Sequence, residues 1–87
     1  MNAIKSRVRS DVMWPDIFKT ENIEGRSDAA LLSDALCAWG CCHMGAEIPA
    51  SFGRIMVKIG DKLGISATPD GCMALADKMR KEREARI

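Results

Sequence analysis

The sequence predicts an all-α fold, a small single-domain bundle of four or five short helices. Three observations carry this. Apolar residues recur at spacings of three and four in successive segments, the period of a helix face. Helix-start residues stand in front of those segments: Ser27, Ser51, and Thr68 followed by Pro69. No alternating or β-branched run suited to a strand occurs. The chain has 87 residues, enough for one domain spanning 1–87 and not for two. With two Trp, two Phe and no Tyr, its core must be largely aliphatic.

Taken in order, residues 2–12 suit a short helix, since Ile4 and Val8 are four apart. Trp14-Pro15 marks a break, because a residue before proline is pushed out of the helical region. "PDIFKTE" (15–21) suits one or two turns starting at Pro15, with Ile17 and Phe18 inward. "NIEGR" is a turn centred on Gly25. The clearest helix opens at Ser27, whose hydroxyl can accept a bond from a free N–H. Leu32, Ala35, Leu36, Trp39 and Cys42 follow at helical spacing, and Leu31, Ala38 and Cys41 widen the stripe. So broad an apolar surface belongs to a central helix. It ends near Met44-Gly45, and 46–50 is a loop.

Ser51 opens the next helix, with Phe52, Ile55, Met56, Ile59 and Leu63 on one face and Gly64 closing it. Thr68, Pro69 and Asp70 read as N-cap, first-turn proline and favourable early acid. Cys72, Leu75, Ala76 and Met79 form the inward face of the last helix. Residues 80–87 read as a solvated, fraying extension, braced by pairs such as Lys78–Glu82 and Arg80–Glu84.

The net charge is +1, but residues 1–9 carry +3, residues 10–50 carry −5 and residues 51–87 carry +3. Such a pattern suits self-pairing, a charged protein or one face toward nucleic acid, with a mixed solvated surface as the plain reading. No 18-residue apolar run is present, so no membrane span is expected. The start lacks the apolar stretch of a secretory signal, so a cytoplasmic protein with reduced cysteines is expected.

Residues 56–73 resemble the helix-turn-helix signature of DNA-binding regulators. Gly60 takes the place of the small residue in the first helix and Gly64 that of the turn glycine, flanked by Ile59, Leu63 and Ile65. The resemblance covers about a fifth of the chain. It implies a second helix presenting Ala67, Thr68, Asp70 and Gly71 to DNA, with Arg54, Lys58 and Lys62 on phosphates. Base-reading helices rely on Arg, Lys, Asn and Gln, none of which appears before Lys78, and Asp70 repels phosphate. An ordinary αα-hairpin explains the same residues.

Cys37, Cys41, Cys42, His43 and Cys72 are residue types that bind zinc. Cys37 and Cys41 share a helix face, but His43 lies about 200° around from Cys41. No CxxC knuckle occurs, and cysteine is a common small core residue. No metal or other cofactor is expected. The only histidine has no carboxylate spaced to orient it, and no phosphate loop or nucleophile elbow appears. The expectation is therefore no enzyme, but a small regulatory or inhibitory protein that binds another protein, of the sort carried by phages and mobile elements. The helix-turn-helix regulator bound to nucleic acid is the alternative, and homodimerisation would add to a small core. Trp14 and Met44, with Met13 and Met56, are candidates for an adaptable partner surface. Arg54, Lys58 and Lys62 supply charge.

Overall fold

The computed structural model describes residues 13–86 and shows an all-α single domain of four helices among them. These are α1 (Ile17–Thr20), α2 (Asp28–His43), α3 (Phe52–Leu63) and α4 (Pro69–Ala85). The helix expected over 2–12 lies outside the described residues. Helix α1 is a single turn and starts two residues beyond Pro15, with Ile17 and Phe18 buried as expected.

Helix α2 is the centre. Ser27 caps it, its Oγ accepting from the Ala30 N–H at 3.1 Å. It packs against α3 on one side and α4 on the other. That is why apolar residues run around so much of its surface: Leu31, Ala35 and Ala38 are fully buried, while Leu36 and Trp39 are half-buried nearer α4. The first turns of α2 lie beside the last turns of α4, and the last turns of α2 beside the first of α4, so the pair runs antiparallel.

Helix α3 lays Ile55, Met56 and Ile59 into the core. Each fully buried aliphatic side chain contributes about 1.5–3 kcal/mol relative to exposure. Ser51 stands before α3, but its side chain does not cap the helix. Its buried hydroxyl instead donates to the Phe18 carbonyl, tying α1 to the start of α3. The chain's four aromatic rings form one cluster at this corner. Trp14 meets Phe18 and Phe52 edge-on at 5.4 and 5.9 Å, and Trp39 meets Phe52 at 5.2 Å. Such pairs add about 0.5–1.5 kcal/mol beyond burial.

Gly64 ends α3 in the left-handed conformation at φ 70°, as the sequence suggests. Gly60 and Gly71 matter for closeness. A Cβ on Gly60 would fall 2.8 Å from the Ile65 carbonyl oxygen, and one on Gly71 would overlap the Ser66 carbonyl. The turn thus folds back onto both helices at distances only glycine permits. Thr68 caps α4 by accepting from the Gly71 N–H at 3.1 Å. Helix α4 continues to Ala85, and every residue from Arg80 to Arg86 is exposed. Arg80 pairs with Asp77 rather than Glu84, three residues back along the same face. Among the described residues no ion pair joins Lys78 to Glu82.

Candidate protein-binding surface

The five residues singled out from the sequence fall into two groups. Trp14 is half-buried in the aromatic cluster, so much of its ring is spent on packing. Met44 follows α2 and is 53% exposed. Met56, which the sequence places on the inner stripe of α3 and also among the candidates for an adaptable surface, takes the first of these places and is buried between Ile55 and Ile59.

Arg54, Lys58 and Lys62 form an exposed row on α3, spaced by four. The first two converge on Glu21. The Arg54 Nε donates to the Glu21 carboxylate at 3.0 Å, and the Lys58 Nζ to the Glu21 main-chain carbonyl at 3.4 Å. Glu21 ends α1 in the left-handed conformation, φ 55°, with its own N–H donating to the Ile17 carbonyl. The hydrogen bond from Arg54 holds the Glu21 carboxyl below the usual carboxylate range, assisted by the charges of Arg54 and Lys58. Two of the three cations therefore have an acidic neighbour in their own chain, which lessens their attraction for phosphate.

The α3–turn–α4 unit has a helix-turn-helix outline, but its second helix differs from the expectation in what it presents. Ala67 and Gly71 are half-buried against the turn and core, and the Thr68 hydroxyl is the cap. The exposed residues over the first turns of α4 are Pro69, Asp70, Met73, Ala74 and Asp77. That surface carries two negative charges and no cation, opposite to what a phosphate backbone attracts.

Exposed apolar residues flank the end of α2. The Cys41 thiol donates to the Met13 carbonyl at 3.8 Å, which sets Met13 against the last turns of α2. Met13 is 77% exposed there, and Met44 and Ile48 (56%) stand exposed in the connection that leaves the same helix end. Ile48 was missed by sequence reasoning, although an isoleucine before a proline in a loop is a visible signal. Exposed apolar groups around one helix end are candidates for a contact surface.

The cysteines are dispersed. Cys37 is exposed, Cys42 half-buried, and Cys41 and Cys72 buried. Burial pushes the Cys41, Cys42 and Cys72 thiols up, away from the thiolate, with the nearby Cys37 adding to the effect at Cys41. Among the described residues no three His, Cys, Asp or Glu side chains gather as a metal site. No helix among them is long and apolar enough to cross a membrane.

Two grooves run along the α2–α4 face, each of about 530 Å³, and they meet at Leu36. One has Leu32, Leu36, Ala76 and Met79 among its lining residues, with Glu82, Arg83 and Arg86 at its edge. The other includes Trp39, Gly40, His43, Pro69 and Met73.

Compared with protein-family models, curated proteins and solved structures, the chain matches none.

Proposed function

We propose that this is a small non-catalytic regulatory or inhibitory protein that acts by binding another protein. The observation that carries the reading is the exposure of Met13, set against the last turns of α2, and of Met44 and Ile48 in the connection that follows that helix. Met adapts its shape to a partner at low cost, and a few such anchors dominate binding energy. The cationic row on α3 supplies electrostatic steering at the side, with Lys62 as its outermost charge.

The test is capture of partners by the tagged chain, with and without nuclease, using wild type and two double variants. A stoichiometric protein that survives nuclease, and is lost with Met44→Glu/Ile48→Glu but kept with Lys58→Glu/Lys62→Glu, is the expected result. Recovery of nucleic acid alone, abolished by the lysine changes and by salt, would overturn it in favour of the helix-turn-helix alternative.

A further inference from the structure

We propose that a second copy of this chain docks on the α2–α4 face, with the two α4 helices antiparallel about a two-fold axis beside Ala76. The face reaches the last turn of α2 at Cys42 and His43, next to Met44, but the proposed contacts lie along α4 and do not depend on the role of Met13, Met44 and Ile48.

The first argument is charge. The first half of α4, residues 69–77, carries Asp70 and Asp77 and no cation. The second half, 78–86, carries five cations against Glu82 and Glu84, a net +3. A helix with one acidic and one basic half is complementary to itself only when the copy runs the opposite way. The two-fold then lays acid over base twice, whereas a parallel pair would set base against base. With the axis beside Ala76, Met73 of each copy is level with Met79 of the other. Asp70 meets the Lys81–Arg83 stretch, level with Glu82 and one residue's rise from each of the two cations, so that the stretch opposite it is net +1.

The second argument is shape. Met73 is 61% exposed and borders the groove that leads past Leu36 to Met79. In the antiparallel pair each Met73 points toward the other copy's groove near Met79, where its flexible thioether fits an irregular space. Ala76, at the axis, is small enough to allow close approach of the two helices.

The third argument is area. Seventeen residues of helix are about 25 Å long, and two packed helices about 20 Å wide, a footprint on the order of 500 Å² per copy. The total of roughly 1,000 Å² is at the lower bound for a specific contact, so the dimer is expected to be weak, with a micromolar Kd.

The test is sedimentation velocity of the full chain from about 1 to 300 µM, spanning that Kd. The expected result is a concentration-dependent dimer that weakens with salt. Met73→Glu is expected to raise Kd by at least about tenfold. Asp70→Arg and Arg83→Asp are each expected to weaken the dimer, and their combination to restore it, since the pair then exchanges signs. Circular dichroism checks that each variant keeps its helix content, and Arg83→Asp, distant from the α4 cap, tests the pairing where Asp70→Arg disturbs the first turn. Met44→Glu/Ile48→Glu, which tests the proposed function, is expected to leave the dimer unchanged. A monomer throughout the range overturns the proposal. So does a dimer indifferent to Met73→Glu, or one weakened by both charge changes and not rescued by their combination.

Discussion

The Trp39 indole Nε1 donates to the Ala67 carbonyl at 2.9 Å, joining the last turns of α2 to the turn before α4. This bond adds to the packing of Ile65 and Ala67 on the core in holding the α3–α4 connection against the central helix. Trp39→Phe keeps most of the ring packing on Phe52 but leaves the carbonyl without its donor. A cost of about 1–3 kcal/mol is expected, read as a lower denaturant midpoint with an unchanged slope.

Glycines in α3 separate by what surrounds them. Alanine is ordinarily the better helix former by about 1 kcal/mol. At Gly53 nothing lies within 4 Å of a built Cβ, so Gly53→Ala is expected to stabilise by about 0.5–1 kcal/mol. At Gly60 the new carbon meets main chain, which does not yield as a side-chain end would. Gly60→Ala is expected to reverse the sign and cost about 1–3 kcal/mol. Thermal melts of the two variants beside wild type test both directions, and stabilisation by both would remove the close approach.

The Arg54–Glu21 contact predicts a particular pH dependence. Because Glu21 titrates below its ordinary value in the folded chain, its contribution is present above the unfolded carboxylate pKa. It is lost as pH falls through the lowered folded value. Arg54→Ala is therefore expected to melt slightly below wild type at neutral pH, with the two curves converging in acid. A gap that persisted unchanged below the carboxylate range would assign the effect to packing of the arginine stem.

Thiol labelling offers a direct check on burial. Cys37 is expected to react first in the folded chain and Cys42 more slowly. Cys41 and Cys72 combine burial with raised pKa values, and Cys72 has no exposed surface. It is expected to react only at the rate of opening, detected as the last mass increment in a time course.

How much of this was legible beforehand depends on the range of the interaction. Ser27 and Thr68 cap their helices through neighbours three residues on, so these starts were readable. The stripe of Ile55, Met56 and Ile59 was readable for the same reason. Ser51 marked its helix correctly but for another reason, since its hydroxyl serves Phe18 from 33 residues away. The same separation hid the partner of Arg54, because Glu21 reaches it only after α1 ends in a left-handed residue. Trp14 and Met44 looked alike as exposed candidates. Aromatic neighbours from two other elements drew Trp14 partly inside, while the loop left Met44 outside. The α2–α4 grooves arise from the spacing between two helix axes, which no local pattern encodes.

The aromatic cluster has an optical consequence. The chain has no tyrosine, and both of its tryptophans stand edge-on to the same ring, Phe52. Its ultraviolet emission is therefore a reporter of a single corner, where α1, α2 and α3 meet, and is blind to the exposed end of α4. Far-ultraviolet dichroism counts that end in full. Melting followed by both signals at once divides the molecule: where the curves coincide, α4 unfolds with the core, and the interval by which dichroism leads emission measures how independently its charged arm comes apart.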